Sequence, residues 1–228
     1  VKTYDLADTI RSLRPAISPA TIVLPLANGV NNAQRVRDIV PDADVLNGLV
    51  YISSFIEAPG VIRQIGGSRA LVFGPENGGA EAHASLETLL RGAGISATLS
   101  SNIRLDVWSK FIFLSALAAV TTLTGKNFGE LQKDAEHMAL LKELMEEIRH
   151  VGNALGVSFP ADAADSALGK FAGFPPETKT SMQLDAERGK RTELSELVGS
   201  VVEMGARVGV ATPRYAEVFA RLREKVRA

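Results

Sequence analysis

Residues 105–125 read LDVWSKFIFLSALAAVTTLTG. Lys110 is followed by an uncharged run from Phe111 to Gly125. In a helix beginning near Asn102, the positions four, seven and eight after Lys110 are Leu114, Leu117 and Ala118, so its forward neighbours on that face are apolar. From Asn102 onward the chain shows no convincing strand pattern, only long periodic stretches separated by Gly and Pro, which predicts a helical half. The uncharged run is too short to span a bilayer as it stands.

Downstream, residues 134–155 predict an amphipathic helix with charged residues on its outer face. The segment FAGFPPETKT is an irregular connection, because two prolines cannot sit inside a helix. Thr180 and Gln183 have capping-box spacing for the helix that follows. Leu194, Leu197, Val198, Val201 and Val202 form one apolar stripe. Thr212-Pro213 reads as a cap and first residue of the last helix.

Upstream, residues 1–101 alternate short β-rich runs with amphipathic helical runs, which is α/β patterning. Thr21 to Ala27 is apolar on both faces, as in a strand inside a parallel sheet, and Asn28-Gly29 ends it with a turn. Between Val45 and Phe73 the pattern predicts antiparallel hairpins at the sheet edge, with a turn at Pro59-Gly60. A helix over EAHASLETLLRGAG and a strand over ISATLS close this half. Val1 and Lys2 read as the end of a strand already in progress, so an upstream piece is expected.

The totals exclude several partners. Lys plus Arg number 25 against 26 for Asp plus Glu, a net charge of −1, which offers no long-range attraction to nucleic acid or an anionic membrane surface. No cysteine is present and His83, His137 and His150 are far apart in sequence, so no metal site is expected. The start has no signal-peptide pattern, and the expected compartment is the cytoplasm.

Some residues could carry chemistry. Burial lowers the pKa of a lysine and makes it a usable proton donor near neutrality, whereas a Lys110 that snorkels to water or pairs with Asp106 would be ordinary. Ser181 and Glu193 are twelve residues apart, about 18 Å on an uninterrupted helix. They can serve one small ligand only if the chain bends between them, and Gly189 is the natural place; otherwise the segment is a solvated charged face. Asn28 stands where a strand end meets a ligand in many α/β sheets, and equally where a plain turn residue would stand.

Taken in order, VKTY, a strand ending in Asn28-Gly29, PGVIRQIGG, WSK opening an apolar helix, then SMQLD and GKRTE ahead of GVATP, the chain resembles the ketopantoate reductase (2-dehydropantoate 2-reductase) family over essentially its whole length. The Trp-Ser-Lys helix start and the Ser181 to Glu193 interval are the most specific parts. The resemblance implies a partial Rossmann-type, doubly wound sheet binding NADP in residues 1–101. Residues 102–228 would form a helical domain for substrate binding and dimerisation. It implies reduction of a 2-oxo acid by NADPH, 2-dehydropantoate to pantoate or a close analogue, in pantothenate biosynthesis, and a homodimer. Lys110 then matches the family's proton donor, Glu193 the group that binds the substrate's hydroxyl end, and Ser181 the serine that helps hold its carboxylate. Asn28 matches the asparagine near the nicotinamide, and Lys2 the lysine at the cofactor cleft.

Two departures stand out. Leu114 and Ala118 occupy positions where well-known members carry asparagines, which favours a more apolar 2-oxo acid as an equal candidate. The family's Gly-rich phosphate turn has no match, since IGGSR and PENGGAEA lack both its spacing and its strand-to-helix context. Val1 then corresponds to the end of the fourth Rossmann strand, and the chain as given is expected to bind NADPH weakly or not at all. Two rivals remain open. One is another member of the β-hydroxyacid dehydrogenase superfamily, against which Leu114 argues. The other is a non-catalytic remnant whose helices mainly form a dimer.

Overall fold

Leu6 and Ile10 stand one turn apart, and their burial fixes the face of the first helix, α1 (Leu6–Leu13). The computed structural model describes residues 1–66 and 68–227. Contacts divide it into two units, one of Val1–Val107 and one from Trp108 onward.

In the first unit a 3-10 turn, Thr3–Asp5, precedes α1. Val1 and Lys2 lie outside any strand, although Lys2 is extended at φ −79°, ψ 157°. Then come β1 (Ile22–Val23), α2 (Asn32–Arg37), β2 (Asp44–Val45), β3 (Asn47–Val50), β4 (Ser53–Ala58), β5 (Val61–Gly66), β6 (Leu71–Gly74), α3 (Ala84–Gly92) and β7 (Ala97–Leu99). β1 pairs with β2 in parallel, β6 lies antiparallel to β3 and parallel to β7, and β4 and β5 form a separate antiparallel hairpin. The α/β half thus forms, with three small sheets among the described residues in place of one.

Two strand expectations change. The strand expected over 21–27 shortens to Ile22–Val23, and Ile22 is 42% exposed, so it is not buried on both faces. Pro25 has no N–H to give a ladder. Residues beyond it still pack inward. A Cβ on Gly48 would stand 2.6 Å from Leu24 and 3.0 Å from Leu26, so β3 needs glycine where this segment crosses it. The hairpin turns at Pro59-Gly60 as its sequence predicts, with Gly60 at φ +78°, but it does not extend the β3-β6-β7 sheet. One core cluster joins Leu6 and Ile10 to Ala33, Val36, Val40 and Val45; another joins Leu46, Leu71, Phe73 and Ala97.

The helices that follow are α4 (Ile103–Thr124), α5 (Phe128–Gln132), α6 (Ala135–Ala154), α7 (Ala163–Phe171), α8 (Ser181–Glu187), α9 (Ser200–Val208) and α10 (Pro213–Arg227). The division between the units falls inside α4, between Val107 and Trp108. Asn102 starts α4 by accepting from the N–H of Leu105 at 3.3 Å, and Gly125, at φ +76°, follows its end. By length and composition α4 could cross a membrane, which the uncharged run alone could not, because the helix also includes Ile103 to Lys110; 67% of its apolar window is buried in the fold. In the second unit Trp108 packs on Gly152 of α6, where a Cβ would stand 3.1 Å from the indole.

Two helix starts differ from their simple reading. Thr180 accepts from the N–H of Gln183 at 3.3 Å, but the Gln183 amide N–H donates to the Gly125 carbonyl and to Glu187 while its oxygen, which would accept from the cap N–H, makes no such bond. At the start of α10 a carboxylate from another helix supplies caps: Glu147 of α6 accepts from the N–H groups of Arg214 and Tyr215 at 2.8 and 2.9 Å. A π turn, Ser195–Gly199, leads directly into α9.

Candidate active site

α4 carries Lys110 half-buried, with Leu117 and Ala118 buried and Leu114 half-buried along the forward face. Burial brings the Lys110 amine down from 10.5 to about 8, and the charge of Glu193 pulls it part of the way back up. Glu193 is itself only 2% exposed. A buried carboxylate and a half-buried ammonium thus lie within electrostatic reach of one another in the second unit. The amine can give up a proton close to neutral pH.

What brings Glu193 there is a break in the helical path. α8 ends at Glu187 and Gly189 takes φ +62°, a left-handed conformation that glycine adopts without strain. Thr192, Glu193 and Leu194 then run buried into the π turn, where the N–H of Leu197 bonds the carbonyl of Glu193 at 2.9 Å. The bend expected at Gly189 is present. Ser181, the first residue of α8, is exposed. Its neighbour Thr180 is tied to α4 by a 2.8 Å bond between the hydroxyls of Thr121 and Thr180.

In the first unit the Thr3 hydroxyl donates to the Asn28 carbonyl at 2.7 Å, which brings the residues on either side of it, Lys2 included, alongside the Asn28 turn. Asn32 closes that turn by donating to the carbonyls of Ala27 and Asn28 at 2.8 and 3.1 Å, with Gly29 at φ +117°. Asn28 is half-buried and Lys2 half-buried. Asp106 accepts from the Ser100 hydroxyl, and its charge with burial holds the Tyr51 phenol above its ordinary value, burial being the larger cause.

Sequence reasoning missed four residues. Ser115 is fully buried on α4, donates to the Leu197 carbonyl at 2.7 Å and lies 2.7 Å from the Tyr215 phenol. Thr121, Glu147 and Tyr215 are buried as well. The signal for Ser115 and Thr121 was available, since each is a hydroxyl inside the uncharged run, where a buried polar group demands a partner. Nothing in local sequence shows who that partner is.

The family model for ketopantoate reductase PanE/ApbA matches residues 1–78, and that for ketopantoate reductase PanE/ApbA C terminal matches residues 102–226. An uncharacterized oxidoreductase, YkpB, from Bacillus subtilis is 30% identical over 224 residues, covering 97% of the chain and 73% of that relative. A 2-dehydropantoate 2-reductase from Mesorhizobium japonicum is 28% identical over 243 residues, covering 98% of the chain and 74% of the relative. The crystal structure of a PanE/ApbA family ketopantoate reductase from Ralstonia eutropha superposes with a TM-score of 0.89 at 30% identity, covering 100% of the chain and 74% of its own.

An α/β unit followed by a helical unit, with relatives and a solved structure named as oxidoreductases or reductases, places the chain among the oxidoreductases. Within that class the chain belongs to the ketopantoate reductase family.

Proposed function

We propose that the protein reduces a 2-oxo acid, 2-dehydropantoate or a close analogue, with NADPH, and that Lys110 is the general acid. The observation that carries this reading is the half-buried Lys110 held in the field of a buried Glu193, in a chain of this family. Relatives named 2-dehydropantoate 2-reductase support the substrate class.

For the cofactor, the residues fit in part. Lys2 offers a cation and Asn28 a polar amide, and the Thr3 bond to Asn28 brings their segments together. The described residues contain no glycine-rich turn between a strand and a helix that would cradle a pyrophosphate. Lys2 and Asn28 would thus meet the cofactor, which when bound supplies hydride. The chain's own residues do the rest. Lys110 places a proton on the substrate oxygen as negative charge develops there, and its ammonium stabilises that charge beforehand. Burial makes the neutral amine left behind tolerable. Glu193 accepts a hydrogen bond from the substrate's hydroxyl end and favours the charged form of Lys110, while Ser181 donates to the substrate carboxylate.

Leu114 offers no side-chain hydrogen bond, so an analogue with a more apolar side chain belongs to the same proposal. A homodimer and a cytoplasmic setting complete the reading. The test is steady-state turnover of 2-oxo acids with NADPH by wild type and Lys110→Ala, in which turnover falls by about 10² to 10⁴. Near-normal turnover in Lys110→Ala would retire it.

A further inference from the structure

The two residues proposed for chemistry stand on segments that meet at one buried bond. Ser115 Oγ donates to the Leu197 carbonyl at 2.7 Å, and its hydroxyl has a single hydrogen. The 2.7 Å contact with Tyr215 must then be donated by the phenol, which leaves Ser115 fully satisfied. Ser115 lies five residues after Lys110 and Leu197 four after Glu193. The N–H of Leu197 in turn bonds the Glu193 carbonyl at 2.9 Å, so the Ser115 bond reaches the backbone of Glu193 through one further hydrogen bond.

The acceptor lies in the π turn, a widened stretch of helix in which the regular ladder is interrupted and which recurs at functional sites. That turn is also gripped from the other side. A Cβ on Gly199 would stand 2.8 Å from the ring of Phe219, so α10 closes directly on it. Because the turn holds the Glu193 carbonyl through Leu197, a slip of one residue along this path would also move Glu193 away from Lys110.

We propose that Ser115 is a positioning residue: by holding the Leu197 carbonyl it fixes the register of the π turn and so keeps the Glu193 carboxylate facing Lys110. This rests on the reading of Lys110 and Glu193 as the working pair, but its test does not require turnover. Competitive labelling of amines with acetic anhydride at a series of pH values, read by peptide mass analysis, follows the titration of Lys110 in the whole protein.

Glu193→Gln removes the carboxylate charge and is expected to lower the Lys110 midpoint by roughly 1 unit. Ser115→Ala is expected to lower it in the same direction by a part of that shift. In Glu193→Gln the further change Ser115→Ala then moves it no more, because the two act through one interaction. Tyr215→Phe keeps the Ser115 to Leu197 bond and leaves the midpoint in place. Ser115→Thr retains the hydroxyl and serves if the alanine variant does not fold; its midpoint stays with wild type. A Ser115→Ala protein that loses thermal stability with its Lys110 midpoint unchanged would reduce Ser115 to a satisfied core hydroxyl. So would a full shift persisting in the Glu193→Gln background. If Lys110→Ala turns over normally while these shifts appear, the catalytic reading fails and the positioning role stands.

Discussion

Glu193 holds Lys110 partly in its charged form against burial that would otherwise strip the proton away. The amine therefore titrates at about 8, below its ordinary 10.5, and a general acid must be protonated to act. The expected result is a kcat/KM that falls as pH rises through about 8 in the free enzyme. Glu193→Gln removes the opposing charge and draws that alkaline limb to lower pH, besides weakening substrate binding. A pH profile of kcat/KM for both proteins checks it. A limb left in place in the variant would separate Glu193 from Lys110.

The same burial has a cost to stability. Because the folded state holds the Lys110 proton less firmly than the unfolded chain does, the penalty is fully present below about 8 and disappears as pH rises through 10.5. The double variant Lys110→Met with Glu193→Gln, which removes the amine without leaving the buried Glu193 carboxylate unopposed, should therefore be the more stable protein at neutral pH, by on the order of 3 kcal/mol at most. The gap should close across the same alkaline window. Urea unfolding of both proteins at several pH values measures it, and a gap independent of pH would mean that the gain comes from packing alone.

Much of this was readable before any coordinates. The passage from α/β to helical patterning, Gly60 as a hairpin turn, the bend at Gly189 and the apolar face ahead of Lys110 all follow from local period and turn chemistry. That Lys110 and Glu193 serve one site was reached only through family resemblance, because 82 residues of intervening chain fold back between them and periodicity says nothing of that distance. The Ser115 bond to Leu197 spans 82 positions and the Glu147 caps span 67 and 68. Such partners are decided by tertiary packing. The short β1 was legible in Pro25, which weighs more than the apolar run around it.

Glu147 illustrates a cap delivered from afar. Burial raises the pKa of its carboxyl, while the N–H groups of Tyr215 and Arg214 pull it down. Glu147→Ala leaves those two donors without their acceptor at the start of α10. The expected loss is about 1–2 kcal/mol, seen as a lower thermal midpoint. Since the Ser115 bond to Leu197 does not depend on Tyr215, catalysis should fall only as far as the fraction folded does.

Two glycines in the helical unit should answer oppositely to one methyl group. A Cβ on Gly129 of α5 would stand 2.6 Å from the Pro176 Cβ and 3.1 Å from its Cα, and neither atom is the free end of a flexible side chain. The N–H of Gly129 also bonds the Pro176 carbonyl at 2.7 Å, so the two backbones cannot part without losing that bond. Gly129→Ala is expected to cost about 1–3 kcal/mol. The strain falls on the segment leading through Thr180 to Ser181, so KM should rise more than kcat falls. Gly169, inside α7, has nothing within 4 Å of such a Cβ. There alanine removes freedom from the unfolded chain without a clash, and Gly169→Ala should gain about 0.5–1 kcal/mol with unchanged kinetics. Denaturant midpoints and steady-state constants for the two variants decide the matter, and equal effects at the two positions would show that the Pro176 segment gives way freely.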